Sequence, residues 1–321
     1  MEAATATEIL PGEPDPRVLR GPLRWILATR PPFLLASALP VLIGLASAWH
    51  DLHRLRVPEA LLTLLGALLA HAAVNVFNDY YDELNGTDRI NTRRVFPFTG
   101  GSRFIQNGVL TAAQMRRLGI LLSLATIAIG LWLTLRSGPD LLLIGLAGLF
   151  LGWAYSAPPF SLNARGLGEP AVAVGFGLLI PLGADFVQRG QIDTLPLLAG
   201  LPYAFLVMNL LYLNEFPDEA ADARSGKRHW VVRLGIRRAR WGYLLFSALG
   251  HATLVWLVLS GRLPEALLLA LLPAPLSLAA GMILLWHANE PRRLVPAIRL
   301  TLIAMALGGL SIAGGLLLAA S

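Results

Sequence analysis

Cysteine is absent from this chain of 321 residues, and charged residues make up only 14% of it. The absence of cysteine excludes disulfide bonds, thiol catalysis and cysteine-ligated metal sites. The scarcity of charge is equally informative, because soluble domains carry about a quarter charged residues. Hydrophobic residues account for 55% of the chain. This composition excludes an ordinary soluble protein and indicates one that is embedded in a membrane.

Long apolar runs, each near the length needed to cross a bilayer, recur along the chain. They predict an all-α, polytopic membrane protein, because helices satisfy their own backbone hydrogen bonds in lipid. We expect a disordered amino-terminal tail over residues 1–20, which are acidic and rich in proline, and a single transmembrane domain over residues 21–321. Residues 21–30 form either a short interfacial helix or an irregular lead into the first span. The nine predicted transmembrane helices cover residues 31–49, 58–78, 115–135, 140–157, 168–186, 195–214, 240–259, 264–286 and 297–319.

Basic residues are distributed unevenly between the two sets of connections. Most lie before the first predicted span and after the second, fourth, sixth and eighth, whereas the opposite connections hold only Arg54, Arg56, Arg136, Arg189 and Arg262. By the positive-inside rule, the amino terminus is cytoplasmic and the carboxyl terminus external. This asymmetry accounts for the net charge of +6, so the charge is not a sign of nucleic-acid binding.

Two short acidic clusters come at the cytoplasmic ends of predicted spans. One covers residues 78–82 (Asn-Asp-Tyr-Tyr-Asp), and the other covers residues 214–222 (Asn-Glu-Phe-Pro-Asp-Glu-Ala-Ala-Asp). Carboxylates at the edge of a bilayer are costly unless a cation or another partner compensates them. Residues four apart share a helix face, which places Asn78 beside Asp82, and Asp218 beside Asp222. Carboxylate and amide oxygens at this spacing predict a Mg²⁺ site.

Each acidic cluster opens a long polar segment, over residues 79–113 and 215–239, that also carries basic residues. Arg94 and Arg103 lie in the first segment, and Arg228 follows Lys227, the only lysine of the chain, in the second. A basic partner beside an acidic metal site is expected where the ligand is itself strongly anionic. Two Mg²⁺ ions with a diphosphate held between them would meet this description.

These residues resemble the two aspartate-rich motifs of the UbiA superfamily of membrane prenyltransferases. The first motif is matched by Asn78, Asp82 and Asp88, and the second by Asp218 and Asp222. The longer spacing to Asp88, the residues around the second motif, and the stretches 155–159 and 165–169 are similar to the branch that prenylates 1,4-dihydroxy-2-naphthoate for menaquinone. Segment 96–103 departs from the Arg-x-Gly-Pro type of sequence usual in that branch.

The resemblance implies a bundle in the inner cell membrane whose cytoplasmic loops cap a central cavity. It also implies transfer of a polyprenyl group from polyprenyl diphosphate to a small aromatic acceptor, with two Mg²⁺ ions bridging the diphosphate. The predicted metal ligands are Asn78, Asp82, Asp88, Asn214, Asp218 and Asp222, and the predicted catalytic residues are Asp82, Asp218 and Lys227. The predicted diphosphate ligands are Arg94, Arg103, Arg165, Lys227 and Arg228. The predicted substrate-lining residues are Asn75, Tyr81, Tyr155 and Tyr212.

Other acceptors fit the same motifs, namely another quinone precursor such as 4-hydroxybenzoate or homogentisate, or a non-quinone lipid. A cation-coupled transporter is an alternative from another class, since intramembrane acids also mark ion pathways. It is disfavoured because the acids lie at cytoplasmic span ends and not at the midplane, where transporter sites lie. A catalytically inactive scaffold is disfavoured because all four motif aspartates are present.

Overall fold

A computed structural model describes residues 9–320 of the chain, and over this range the elements are helices joined by turns and loops, with no strand. Eight helices are long and apolar enough to cross a membrane by length and composition, and one further apolar helix is shorter. In chain order they are α1 (Pro31–Leu52), α2 (Val57–Leu84), α3 (Ala112–Ser137), α4 (Leu141–Ser156), α5 (Gly168–Arg189), α6 (Leu195–Arg224), α7 (Ile236–Leu259), α8 (Glu265–His287) and α9 (Pro291–Ala319).

The predicted fold class is confirmed, but α4 is shorter than a membrane-spanning helix needs to be. Each predicted span coincides with one of the nine helices, but α4 has 16 residues. At 1.5 Å per residue it is about 24 Å long, shorter than a hydrocarbon core of about 30 Å. It ends where Pro158 and Pro159 follow Ala157, because a proline disfavours helical geometry in the residue before it.

Two helices run further into the polar segments than the hydrophobic pattern predicts. Helix α2 continues to Leu84 and α6 continues to Arg224, so both acidic clusters lie on helices. Each helix is followed closely by a glycine in the left-handed region, Gly86 (φ 81°) and Gly226 (φ 86°), which lets the chain turn away. The clusters are therefore carried by rigid helix ends.

Helix α6 is the centre of the bundle. In the most apolar 18-residue stretch of α6, 67% of the residues are buried, whereas in the corresponding stretch of α3 only 11% are. Helix α6 packs against α1, α5, α7 and α9. Its crossing with α5 is very close, because a Cβ on Gly200 would overlap the carbonyl oxygen of Gly177. Small residues at such crossings let membrane helices approach each other. The crossing fixes the position of α6 and of the acids at its end.

The segment before α1 is partly packed onto the rest of the molecule. Residues 21–30, predicted to form either a short interfacial helix or an irregular lead into α1, contain a five-residue helix, Leu23–Leu27, in which Leu23 and Ile26 are exposed. Residues 1–8 of the predicted disordered tail lie outside the described residues, and their disorder stays a prediction. Over residues 9–20, by contrast, Glu13 is buried against the connection between α2 and α3.

Candidate functional site

The ends of α2 and α6 meet through Lys227. Its ammonium nitrogen lies 2.8 Å from Oδ1 of Asp82 and 3.2 Å from Oδ1 of Asp222, and all three side chains are largely buried. Burial lowers the pKa of Lys227, but the Asp222 and Asp82 carboxylates outweigh it and hold that pKa above its ordinary value. The structure thus brings one residue from each aspartate motif together around the only lysine of the chain.

The first motif is completed by contacts within α2 and across to α4. The amide nitrogen of Asn78 donates to Oδ2 of Asp82 at 3.1 Å and to Oγ of Ser156 at 3.4 Å. Asn85 donates to Oδ1 of Asp82 at 3.2 Å. One turn earlier on α2, Asn75 donates to the carbonyl oxygen of Thr29 at 3.0 Å. The polar face of α2 is therefore ordered by hydrogen bonds toward α4 and the lead into α1.

The second motif is oriented by the connection between α2 and α3. The side chain of Asn91 donates to Oδ1 of Asp218 at 2.7 Å, and the backbone amide of Gly100 donates to Oδ2 at 3.1 Å. The backbone amide of Ser102, two residues on, donates to Asp79 of the first cluster. Segment 96–103, which departs from the naphthoate branch, therefore lies against both acidic clusters.

Asp88 lies in the short helix Thr87–Ile90 that follows α2, and it is buried. Gly101 lies directly against its carboxylate, where a Cβ would overlap the oxygens. Burial raises the pKa of Asp88 well above its ordinary range, and Asp82 adds to this, while Arg30, Lys227 and Arg103 act in the opposite direction. The charges of Asp82 and Lys227 therefore both act on Asp88. A further cation bound here would reduce the repulsion between the Asp82 and Asp88 carboxylates.

Arg30 is the main functional candidate that the sequence analysis missed. Its side chain pairs with Asp79, and its charge also interacts with Asp88, Asp82 and Asp218. Its Nε is buried with no hydrogen-bond partner among residues 9–320. In the sequence Arg30 counted only as a basic residue before the first span, because arginines at span ends are ordinarily explained by membrane orientation.

His229 is a second residue that the sequence did not single out, and it contacts Asp222 of the second motif. Its Nε2 lies 3.1 Å from Oδ2 of Asp222, and its Nδ1 lies 3.1 Å from Oε2 of Glu215. Burial lowers the pKa of His229, but Glu215 and Asp222 outweigh it and raise the pKa to about 10. The imidazolium therefore compensates two buried acids. Its position two residues after Lys227 in the polar segment was the available sequence signal.

The predicted diphosphate ligands other than Lys227 differ in their surroundings, and Arg103 is the one that contacts Asp88. Arg103 is fully buried, donates to the carbonyl oxygen of Asp88 at Nη1, and has no partner for Nε or Nη2 among residues 9–320. Arg94 is buried and bonded to Glu13. Arg165 and Arg228 are exposed, and Arg165 donates to the carbonyl oxygen of Pro159 at 2.6 Å.

The three predicted tyrosines have different surroundings. Tyr155, on α4, is half-buried and directly precedes Ser156, whose hydroxyl accepts from Asn78. Tyr212 lies in the core, where its hydroxyl donates to the carbonyl oxygen of Ala239 at 2.7 Å. Tyr81 contacts Tyr80 and Phe77; since it lies one residue from Asp82, it points about 100° away around the helix.

The oxygen donors present suit a divalent cation. Oδ1 of Asn214, one turn before Asp218 on α6, is buried and has no hydrogen-bond partner in the described part of the chain. Within residues 9–320 no three His, Asp or Glu side chains form a ready metal-binding group; Lys227 instead stands between Asp82 and Asp222. Carboxylate and amide oxygens are the ligands that Mg²⁺ takes in proteins, together with phosphate and water. In their chemical type, the side chains of the two motifs therefore fit the predicted Mg²⁺ ion.

Comparison with known proteins gives a family match over most of the chain. The model of the UbiA prenyltransferase family matches residues 37–303. A relative from Mycobacterium leprae, named 1,4-dihydroxy-2-naphthoate octaprenyltransferase, is 33% identical over 303 residues, which cover 93% of this chain and 97% of the relative. A relative of the same name from Mycobacterium tuberculosis is 34% identical over 305 residues, covering 91% and 96%.

Solved structures share the fold. The apo structure of a UbiA homologue from Aeropyrum pernix K1 superposes with a TM-score of 0.67 at 15% identity, covering 88% of this chain and 97% of the homologue. A UbiA homologue from Archaeoglobus fulgidus bound to DMAPP and Mg²⁺ gives a TM-score of 0.61 at 19% identity, covering 90% and 98%. At these identities the likeness concerns the arrangement of the helices.

Proposed function

The chain belongs to the UbiA prenyltransferase family and is a membrane prenyltransferase, and from this premise we propose that it transfers a polyprenyl group from a polyprenyl diphosphate to 1,4-dihydroxy-2-naphthoate. The predicted family and enzyme class are confirmed, so the transporter and scaffold alternatives are set aside. The observation that carries the proposal is the contact of Lys227 with Asp82 and Asp222. It joins both aspartate motifs and a buried cation in one site.

The acids of the two motifs provide the metal ligands in this proposal. Two Mg²⁺ ions would be held by Asp82, Asp88, Asp218 and Asp222 with Asn78 and Asn214, and when bound they would neutralise the diphosphate and stabilise it as a leaving group. Lys227 adds a fixed positive charge beside them. An ammonium has three donors, and two of those on Lys227 are directed to Asp82 and Asp222, which leaves one for a phosphate oxygen.

Two buried arginines extend the site for an anion. Arg30 and Arg103 each have at least one buried N–H group without a partner among residues 9–320. Buried donors are almost always hydrogen-bonded, so an unpaired guanidinium N–H beside Asp88 is available to donate to a ligand. Donors held in place before the reaction stabilise developing negative charge without reorganisation. We assign both side chains to the departing diphosphate.

The chemical step follows from this arrangement. The bond between the allylic carbon and the diphosphate oxygen breaks, and pyrophosphate takes the electron pair. In this proposal the ring of Tyr155 would stabilise the allylic cation by a cation–π contact. The electron-rich naphthoate ring then forms the new carbon–carbon bond, and its carboxyl group leaves as carbon dioxide, as the resemblance to the naphthoate branch implies.

The choice of acceptor is supported by the relatives and by the position of segment 96–103. Both mycobacterial relatives are named for 1,4-dihydroxy-2-naphthoate. Segment 96–103, whose sequence differs from that of the naphthoate branch, contributes backbone donors to Asp218 and Asp79. A change of sequence in this segment can therefore change the geometry of the site. It is the part of the chain on which selection between naphthoate and other quinone precursors would depend.

A product assay tests the acceptor. Purified protein is incubated with Mg²⁺ and geranylgeranyl diphosphate, together with 1,4-dihydroxy-2-naphthoate, 4-hydroxybenzoate or homogentisate, and the products are identified by mass. We expect a prenylated, decarboxylated naphthalene product and little product from the other two. Preferential prenylation of 4-hydroxybenzoate or homogentisate would overturn the acceptor while leaving the prenyl transfer intact.

A further inference from the structure

Glu13 lies outside the two aspartate motifs, yet its carboxylate is completely buried against the connection between α2 and α3. Its Oε1 lies 2.5 Å from Nε of Arg94 and its Oε2 lies 3.2 Å from Nη2 of Arg94. Asn107 donates to Oε2 of Glu13 at 3.2 Å and to the carbonyl oxygen of Pro14 at 3.0 Å. Residues 10–15, which we call the amino-terminal strap, are thus fixed to this connection at two points.

Arg94, the partner of Glu13, also contacts Asn91 and Gly100. Its Nη1 donates to the carbonyl oxygen of Asn91 at 2.9 Å. Its side chain also packs against Gly100, where a Cβ would overlap Cβ of Arg94. Arg94 therefore sets the positions of Asn91 and Gly100 relative to each other.

Asn91 and Gly100 are the residues that donate to the two oxygens of Asp218, at 2.7 and 3.1 Å. A carboxylate that ligates a metal depends on such donors for its orientation, and partners of this kind affect metal affinity strongly. We propose that Glu13 is a positioning residue for Asp218, acting through Arg94, Asn91 and Gly100, so that the amino-terminal strap sets the affinity of the second aspartate motif for a divalent cation.

This inference rests on the proposed function, because it takes Asp218 as a metal ligand. It also assigns Arg94 a different role from the predicted diphosphate contact, since the guanidinium is committed to Glu13 and to Asn91. Breaking a buried ion pair from one side leaves the other charge uncompensated, so loss of Glu13 would disturb Arg94 and both donors to Asp218.

The test measures Mn²⁺ binding by purified full-length protein in detergent, using the electron paramagnetic resonance signal of free Mn²⁺. For Glu13→Gln we expect the dissociation constant to rise about tenfold, in the range of second-shell effects at metal sites. The matched control is Asp15→Asn, in the same strap, because the Asp15 side chain pairs with Arg17 and not with the α2–α3 connection. The control should bind Mn²⁺ like the wild type.

Two further variants separate positioning from damage to the fold. Asn107→Ala removes one anchor of the strap without stranding a charge, and we expect a smaller rise in the dissociation constant. Arg94→Gln combined with Glu13→Gln should weaken Mn²⁺ binding no more than Arg94→Gln alone, because the pair acts as one unit. In prenyl-transfer assays, saturating Mg²⁺ should restore most of the kcat of Glu13→Gln.

Equal Mn²⁺ affinity of wild type, Glu13→Gln and Asn107→Ala would overturn the inference and leave the proposed function standing. If Glu13→Gln does not fold, Asn107→Ala decides. If the wild type itself binds no Mn²⁺, the metal assignment of the proposed function fails and the positioning role fails with it.

Discussion

Lys227 is the residue on which the site depends most. It is largely buried between two carboxylates that belong to different helices. Removing one partner of a buried ionic group costs about 3–5 kcal/mol, because the remaining charges lose their compensation. In the proposed reaction the same ammonium contacts the departing diphosphate.

We therefore predict that Lys227→Gln lowers kcat/KM for the prenyl diphosphate about 100-fold or more, the usual size of losing one electrostatic contact in an active site. The variant should also be less stable, and Mg²⁺ should raise its melting temperature more than that of the wild type, since a divalent cation would take the place of the ammonium. Steady-state kinetics and thermal melts with and without Mg²⁺ check both points.

The control for this prediction is Arg237→Gln, which removes an exposed cation near the end of the same polar segment. It should leave both measurements unchanged. A fully active Lys227→Gln, or one that Mg²⁺ does not stabilise, would contradict the role given to Lys227.

Individual residues were predictable where they belonged to a repeated pattern, and less so elsewhere. Asp82, Asp222 and Lys227 stood out because acids recur at helical spacing and lysine occurs once. Arg30 and Glu13 gave no such signal. Arg30 resembles an ordinary orientation signal, and Glu13 lies in a proline-rich stretch whose burial comes from tertiary contacts with Arg94 and Asn107.

At the scale of elements, hydropathy located the helices well, because lipid demands long apolar helices. It ended α2 and α6 too early, since the last turns of both helices are polar. Those turns carry the two aspartate motifs. Their ends are set by the left-handed glycines at 86 and 226, a local signal that hydropathy does not register.

The crossing of α5 and α6 predicts a specific sensitivity to volume. Gly200→Ala would place a methyl group against the backbone carbonyl of Gly177, and a backbone atom cannot rotate away. We expect destabilisation at or above the usual cost of overpacking, about 1–3 kcal/mol, and lower activity because α6 carries Asp218 and Asp222. Thermal unfolding in detergent measures the effect.

Gly148→Ala on α4 is the matched control, because an added Cβ there meets no other atom within 4 Å. Its melting temperature should equal that of the wild type or exceed it slightly. Equal melting temperatures for Gly200→Ala and Gly148→Ala would show that the crossing is not the close contact described.

At the scale of the whole molecule, the chain is a multi-pass membrane protein, and the positive-inside rule predicts that the site lies on the cytoplasmic side. The absence of cysteine makes this orientation directly testable. In intact cells, Arg262→Cys should react with a membrane-impermeant maleimide. Arg237→Cys should react only after the membrane is permeabilised, since both positions are exposed but lie on opposite sides.

The reverse labelling pattern would place the amino terminus outside and move the site to the external face. The wild-type protein is the control for non-specific labelling, because it has no cysteine thiol that could react.

The central claim is that the two aspartate motifs form one metal-dependent site for prenyl transfer, and the most direct measurement is the Mg²⁺-dependent rate of product formation by Asp82→Ala and Asp218→Ala. The comparison is with Asp140→Ala, an exposed aspartate before α4. We predict a loss of about 100-fold or more in both motif variants, with each protein still folded in detergent, and an unchanged rate for Asp140→Ala. Full activity in either motif variant would contradict the claim.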